Sequence, residues 1–414
     1  MPATSPTFHL AGPRTRLSRP VAFAAIALMF VVFLAASSAP SPLYVVYQEA
    51  WGFSATTLTA VFAVYVVGLL GSLLVVGALS DHVGRRPVLG AAIALEMVAL
   101  VLFAVAGDVY VLGLARVLQG IATGAAMTTL GAALVDLDPP HAPGRAGVIN
   151  GIAPLSGLAL GALGTGALVQ IGPAPTTLVY LLLLGGMALA AAAVVWMPET
   201  SSLRPGARAS LRPRVGIPPR LRGEVVALVP LLVASWALGG LYLSLGPSVA
   251  SSIFDVHSHL AGGLVVTMLT GTGAATAFVL RTRPPAQVFT AAGVLLAAGM
   301  SVSLVGLETG AIEAAAVGTL IAGIGFGAAA LGAFGSLARV AAPEERGEVF
   351  AVAYVISYVA FSVPAVIAGL ASQSAGLLDT AAAYGAMVIA LSLLALVAQR
   401  AVAQGREREE RAAA

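Results

Sequence analysis

The sequence GALSDHVGRRP fills residues 77–87, between two long apolar runs near 57–79 and 88–106. A helix that crosses a bilayer needs about 20 mostly apolar residues, and both runs are long enough. Arginines in a short connection between two such runs favour the cytoplasmic side of a membrane. Residues 77–87 therefore predict a tight cytoplasmic turn between two transmembrane helices.

Apolar runs of the same kind recur along the whole chain. Of its 414 residues, 59% are hydrophobic and only 9% are charged, and the mean hydropathy is +0.96. Soluble proteins carry about 25% charged residues, so most of this surface requires a lipid environment. The composition predicts an all-α membrane protein of twelve transmembrane helices in a lipid bilayer. The runs lie near 21–43, 57–79, 88–106, 110–134, 146–171, 176–197, 225–248, 260–280, 286–307, 312–338, 349–375 and 380–402.

The arginines are concentrated on one side of the predicted membrane protein. All except Arg116 fall in the tails and connections that this parse places on one face, and the opposite connections contain none. Such a bias is typical of the cytoplasmic face of membrane proteins. We therefore expect a multi-pass protein of the cell membrane with both termini in the cytoplasm.

A polar segment rich in proline and arginine divides the chain near its middle. It occupies residues 198–224 and is expected to be a cytoplasmic loop between two six-helix bundles. The halves resemble each other weakly at an offset near 200, which predicts pseudo-symmetric bundles with a substrate site between them. The expected divisions are a cytoplasmic tail at 1–20, bundles at 21–197 and 225–402, and a second cytoplasmic tail at 403–414.

The stretch 77–87 resembles the G-x-L-x-D-x-x-G-R-R signature of the major facilitator superfamily, and the Pro-Glu-Thr of residues 198–200 is common after helix six in that family. His82 departs from the pattern, because the family often has another basic residue there. The resemblance implies the family fold, secondary transport by alternating access, and a conformational latch. The latch residues that it implies are Gly77, Asp81, Gly84, Arg85, Arg86 and, at the inner end of helix four, Asp136. For Arg86, a charged turn that only sets topology is the alternative.

Helix four contains a second match, running from Arg116 through Gln119 and Gly120. A charge inside a span is costly and is by default functional. The resemblance makes Arg116 a polar cavity group, sometimes linked to proton transfer in the family. The alternative is an arginine whose long side chain reaches the outer surface.

Glu96 is the one carboxyl group deep inside a predicted span. It is a candidate proton carrier, and it could pair with Arg116 on the neighbouring antiparallel helix. The alternatives are a structural pair or a neutral, hydrogen-bonded acid.

The remaining cavity candidates are polar and aromatic residues on the helices that line the centre of this fold. As a group they indicate a mostly apolar cavity with few charges. They are Tyr44, Tyr65, Asn150, Trp236, Tyr242, Phe334, Tyr354 and Tyr358. Helix five has two G-x-x-x-G spacings and an Ala-Pro pair where the family's antiporters have Gly-Pro, so exchange is suggested and packing explains the pattern almost as well.

The residue inventory excludes several functions. The chain has no cysteine, and all 21 of its Lys and Arg residues are arginine, so thiolate sites and the P-loop lysine of an ATP-driven pump are ruled out. No nucleophile, base or metal ligands converge, and His257 with His259 alone is a poor metal site. We therefore expect no enzyme activity, no cofactor, no metal and no nucleic-acid partner. We also expect the protein to be a monomer.

The function favoured by the sequence is secondary active transport of a small molecule, with protons as the coupling ion. The preferred direction is efflux of an uncharged or cationic amphipathic molecule, including drugs. Uptake or exchange of a small metabolite is the alternative within transport. A non-transporting membrane sensor or a membrane-embedded enzyme is the alternative of another class.

Overall fold

The computed structural model describes residues 17–413 except 202, 214, 257, 343 and 344, with the side chains of 403 and of 405 onward also left out. Residues 1–16 of the expected N-terminal tail and His257 of the two-histidine loop therefore lie outside the described residues, as do most side chains of the expected tail at 403–414.

Twelve helices are long and apolar enough to cross a membrane, which confirms the predicted fold class. They form two six-helix halves, and the described residues contain no strand. Numbered as spans 1 to 12, they are Arg19–Trp51, Ala55–Val76, Arg85–Ala104, Val109–Asp136, Arg145–Ile171, Leu178–Trp196, Pro219–Ser244, His259–Leu280, Pro285–Thr309, Ile312–Val340, Arg346–Ala375 and Leu377–Val402.

The first span is longer than predicted: it continues past residue 43 to Trp51. It consists of a helix Arg19–Ser38 and a second helix Pro40–Trp51. Proline has no N–H and is tolerated at the start of a helix, so the chain restarts there. Because Pro40 has no N–H, the carbonyl of Ala36 loses its helical donor, and the side chain of Gln119 in span 4 donates to it at 3.0 Å. Span 7 repeats the pattern, with a short helix Gly246–Ser252 after its main helix.

Spans 2 and 4 approach each other closely at Gly120. A Cβ atom at this position would lie 2.1 Å from the backbone oxygen of Tyr65. Spans 8 and 10 meet in the same way at Gly327, where a Cβ atom would lie 2.1 Å from the oxygen of Gly273. Small residues allow such contacts between membrane helices, and the matching pairs show the relation between the two halves.

The two halves are joined at one end of the molecule. The hydroxyl of Ser41 donates to the carbonyl of Leu243 at 2.7 Å, and that of Thr56 donates to the carbonyl of Gly369 at 2.9 Å. We call this the far end, because it lies opposite to the turn at residues 80–86, which marks the latch end. The halves therefore pack directly on each other at the far end.

The linker between spans 6 and 7 is fastened at both of its ends. Glu199 accepts hydrogen bonds from the backbone N–H groups of Arg85 and Arg86 in the N-terminal half, at 2.8 and 3.1 Å. Arg220 forms an ion pair with Glu345 in the C-terminal half. Each half therefore holds the linker end that lies next to it.

Candidate functional site

The turn between spans 2 and 3 brings the predicted latch residues together around one arginine. Arg85 is almost fully buried, and its guanidinium lies 2.5 Å from Asp81 and 3.1 Å from Asp136. It also donates to the hydroxyl of Ser80 at 2.6 Å. The two carboxylates and the hydroxyl share one buried cation, which fixes the turn against the end of span 4.

Glu199 completes this site, although no role was predicted for it. Its carboxylate caps the first turn of span 3, where unpaired N–H groups and the helix dipole favour a negative charge. Gly84 precedes that turn with φ +105°, and a Cβ atom there would lie 2.7 Å from Glu199. Only glycine therefore combines this backbone angle with the approach of the carboxylate.

The remaining latch residues tie the same elements together. Arg86 donates to the carbonyls of Val194 and Val195 at the end of span 6, at 3.0 and 2.5 Å. Thr200 donates to Asp136 at 2.9 Å, and Gly77 follows the end of span 2. These contacts join spans 2, 3, 4 and 6, which all belong to the N-terminal half.

Arg116 lies inside the N-terminal half and does not reach the surface, with 1% of its area exposed. Its Nη1 donates to the carbonyl of Ser37, at the broken part of span 1, at 2.9 Å. The guanidinium also lies over three aromatic rings, 4.7 Å from the centroid of Tyr65, 5.6 Å from Tyr44 and 6.0 Å from Phe62. Backbone oxygen and aromatic faces thus stabilise the buried cation.

Gln119 connects Arg116 to Glu96, which is fully buried. The amide oxygen of Gln119 accepts from Arg116 at 2.6 Å, and its amide nitrogen donates to Glu96 at 3.0 Å and to the carbonyl of Ala36 at 3.0 Å. The direct pair that the sequence suggested for Glu96 and Arg116 does not form. The arrangement is a three-residue chain of acid, amide and base.

Three polar atoms of this cluster have no hydrogen-bond partner. They are Oε2 of Glu96, Nε of Arg116 and the hydroxyl of Tyr44, all buried. An unpaired buried polar group costs about 1–3 kcal/mol, so such groups concentrate where function requires them. The cluster contains one acid and one base, so its net charge is zero with Glu96 ionised and +1 with Glu96 protonated.

Most of the predicted aromatic cavity residues form one cluster in the C-terminal half. Trp236 lies 4.8 Å from Tyr358, Tyr358 lies 6.4 Å from Tyr354, and Tyr354 lies 5.2 Å from Phe334, between ring centroids. Trp236, Phe334 and Tyr354 are partly exposed. We call these four residues the aromatic wall.

The aromatic wall reaches the buried cluster through two residues that the sequence did not single out. Phe361 lies 5.9 Å from Trp236 and 5.0 Å from Phe62, which contacts Arg116. Phe62 is three residues before Tyr65, so the two lie on the same face of span 2. This spacing could have predicted that Phe62 belongs to the site. Nothing in the sequence near Phe361 indicates that it contacts Phe62 in the other half.

Two predicted cavity residues lie elsewhere. The hydroxyl of Tyr242 contacts that of Thr319 at 2.8 Å inside the C-terminal half. The amide of Asn150 donates to the carbonyl of Gly131 at 3.4 Å, between spans 4 and 5. Neither joins Arg116 or the aromatic wall. Among the described residues, no three metal-ligating side chains come together.

Comparisons with known proteins agree on one family. The sequence profile described as Major Facilitator Superfamily matches residues 26–365. A curated relative, the MFS-type transporter paaT of Penicillium rubens, is 30% identical over 150 residues, which are 36% of this chain and 26% of that protein. The chain therefore covers about a quarter of the length of this relative.

Two solved structures share the fold over nearly the whole chain. A bacterial homologue of the human lysosomal transporter Spinster, in an inward-facing and occupied conformation, has a TM-score of 0.74 at 13% identity, covering 94% of this chain and 98% of that one. The human organic anion transporter MFSD10 (TETRAN) has a TM-score of 0.65 at 17% identity, covering 92% and 100%. At these identities the similarity shows the fold alone.

Proposed function

This chain belongs to the Major Facilitator Superfamily and is a secondary transporter rather than an enzyme, and from that premise we propose that it exports amphipathic molecules in exchange for protons. The substrate is neutral or cationic and binds between the two halves. The observation that carries the proposal is the buried chain of Glu96, Gln119 and Arg116.

The charge of this cluster supplies the coupling. With Glu96 ionised, its negative charge offsets Arg116, and a cation can bind nearby at little electrostatic cost. With Glu96 protonated, the positive charge of Arg116 is uncompensated and repels a cation at short range. Because charges interact strongly in a medium of low polarity, one proton then displaces one cationic substrate, which is exchange.

The depth of the cluster suits loading from the far end. Arg116 and Glu96 lie on antiparallel helices at similar distances from the far end, seven residues after Val109 and eight before Ala104. At 1.5 Å per residue each is about 10–12 Å inside. In this conformation the halves pack together at the far end and close the cluster off. Separation there would admit protons from the far side.

The arginine distribution supports an assignment of sides, in which the latch end is cytoplasmic. We propose that the chain lies in the cell membrane as a monomer with both termini inside. The far-end contacts between the halves then close the outward side of this conformation. The turn at residues 80–86 acts as the latch by holding spans 2, 3, 4 and 6 as one unit during rocking.

The walls of the central site support an amphipathic substrate. Partly exposed rings of the aromatic wall favour flat or apolar groups, and cations are attracted to aromatic faces. Arg116 is the one buried arginine inside a described span apart from the latch, and its guanidinium is already covered by three rings. The organic anions named for the human relative would have to displace those rings, which favours the neutral or cationic class.

Transport into inverted membrane vesicles tests the proposal. A panel of neutral, cationic and anionic amphiphiles would be measured with and without an imposed pH gradient. We expect uptake of cationic members to rise when the vesicle interior is acidic. Uptake that ignores the gradient would exclude proton coupling, and preference for anionic members would favour the rival substrate class.

A further inference from the structure

The C-terminal half contains a second cavity, and the repeat between the halves explains its origin. Arg116, Gly120 and Gly124 of span 4 correspond to Thr319, Gly323 and Gly327 of span 10 at a constant offset of 203 residues. Gly120 and Gly124 pack against span 2, and Gly323 and Gly327 pack against span 8. Thr319 therefore stands where the N-terminal half has its buried arginine.

Both positions face the same kind of neighbour. Arg116 contacts span 1 at Ser37, just before the break in that span, and Thr319 contacts span 7 at Tyr242, just before the corresponding break. A threonine side chain is much smaller than an arginine. The space that Arg116 fills in one half is therefore only partly filled in the other.

A cavity of about 260 Å³ lies at this place, between spans 7, 8, 9 and 10. None of the described residues that line it is charged, and most are aliphatic. Its inner wall includes Leu241, Tyr242, Met268, Met300, Leu307 and Thr319. Tyr242 and Met300 are 8% and 5% exposed, so this wall is shielded from lipid.

The few polar groups in the cavity are already paired. The hydroxyls of Tyr242 and Thr319 bond to each other at 2.8 Å, and Ser303 donates to the carbonyl of Ala315 at 3.3 Å. The hydrogens of all three hydroxyls are used in these bonds and in that of Thr319 to the carbonyl of Ala315. A ligand that must accept hydrogen bonds would therefore find no free donor among these groups, whereas an apolar ligand loses nothing. Apolar protein cavities of about 150 Å³ stay dry and bind benzene.

We propose that this cavity is a second binding site, separate from the central one, for a neutral apolar molecule of one or two rings. Leu264 and Ile312 belong to its lining and are 41% and 43% exposed, so the cavity is reached from the apolar surface of the protein. The lack of charge excludes ionised ligands, and the volume admits a ring pair of naphthalene size.

Photolabelling of the protein in lipid nanodiscs tests the site. The probe is 3-trifluoromethyl-3-phenyldiazirine, a neutral one-ring reagent, and labelled residues are mapped by mass spectrometry. We expect saturable labelling of Met300 and Tyr242, and its loss when excess naphthalene is added. Labelling confined to lipid-exposed residues such as Val317, or labelling of Met300 that naphthalene does not reduce, would overturn the proposal.

A matched pair of variants on span 8 tests whether the naphthalene-sensitive labelling comes from the cavity. Ala261 lines the cavity, whereas Ala275 is exposed and lies outside it. We expect Ala261→Phe to abolish the naphthalene-sensitive labelling of Met300 and Ala275→Phe to retain it. Competition in the wild-type protein remains decisive if Ala261→Phe fails to fold. Competition by decane but not by naphthalene would assign the space to a lipid chain and also overturn the proposal.

Discussion

Glu96 and Arg116 are joined through the side chain of Gln119 and share no direct contact. The amide oxygen of Gln119 is taken by the arginine, and its nitrogen is taken by the carboxylate. The reverse orientation would place an NH₂ group against the guanidinium, which has only donors. The charges on either side therefore fix the orientation of the amide. Through Gln119, a change in the charge of Glu96 affects the hydrogen bonding of Arg116.

The first prediction concerns Glu96 as the proton carrier. Glu96→Gln keeps the shape and one acceptor oxygen but removes the titrating group. With one proton exchanged per substrate, one pH unit drives about tenfold accumulation. We expect the variant to lose this accumulation and to bind cationic substrates more weakly, because Gln has the charge of protonated Glu96 and leaves Arg116 uncompensated. The measurement is vesicle uptake against an imposed pH gradient.

Glu308→Gln is the matched control, because Glu308 is an exposed acid near the end of span 9. It should accumulate substrate as the wild type does. If Glu96→Gln also keeps its full response to the gradient, Glu96 has no part in coupling.

The second prediction separates the two arginines of the latch. Arg85→Ala leaves Asp81 and Asp136 without their shared cation, whereas Arg86→Ala removes bonds to two carbonyls near the surface. We expect Arg85→Ala to cost about 2 kcal/mol of stability, between the values for exposed and fully buried pairs. Arg86→Ala should cost less than half of that. Thermal unfolding in the same detergent measures both, and equal losses would contradict the central position of Arg85.

The third prediction concerns the close contact between spans 2 and 4. A Cβ atom at Gly120 would lie 2.1 Å from the oxygen of Tyr65, so Gly120→Ala must push the helices apart. Gly113 lies on the same helix with nothing within 4 Å of its Cβ position. Gly113→Ala should therefore stabilise the helix by about 0.5–1 kcal/mol, and Gly120→Ala should lower the unfolding temperature and the transport rate.

The fourth prediction tests the assignment of sides. The chain has no cysteine, so single cysteines can be added without background. Two exposed residues flank span 9 at its opposite ends: Thr282 lies in the connection before it, and Thr309 is its last residue. In intact cells, a membrane-impermeant maleimide should label Thr309→Cys and leave Thr282→Cys unlabelled. The opposite pattern would invert the topology and with it the proposed direction of transport.

Much of the fold followed from the sequence because its signals are local. Apolar length sets each span, and the latch set of Asp81, Arg85 and Asp136 was marked by a short motif. Asp136 is 51 residues from Arg85, yet the family pattern connected them. The extension of span 1 to Trp51 was missed, because polar residues of the second helix resemble a loop.

The parts that could not be predicted depend on side chains far apart in the chain. Glu199 lies more than 110 residues from the helix that it caps, and nothing near it marks that target. The bridging role of Gln119 depends on the relative depth of two helices, which sequence gives only to within about four residues. Tyr242 was placed with the central aromatic residues, although its direction depends on the rotation of span 7.

The attachments of the linker have a mechanical consequence. Glu199 anchors it to one half and Arg220 anchors it to the other, and about 20 residues lie between these points. A fully extended chain spans at most about 3.3–3.6 Å per residue, so 20 residues could reach at most about 65–70 Å. The linker is also hydrogen-bonded to Asp81 and His82 at Arg204 and Pro205, so the segment of about 15 residues from Pro205 to Arg220 is the part that can extend when the halves move. The halves are held in register by their own packing, so cleavage within this segment would leave the two fragments able to assemble.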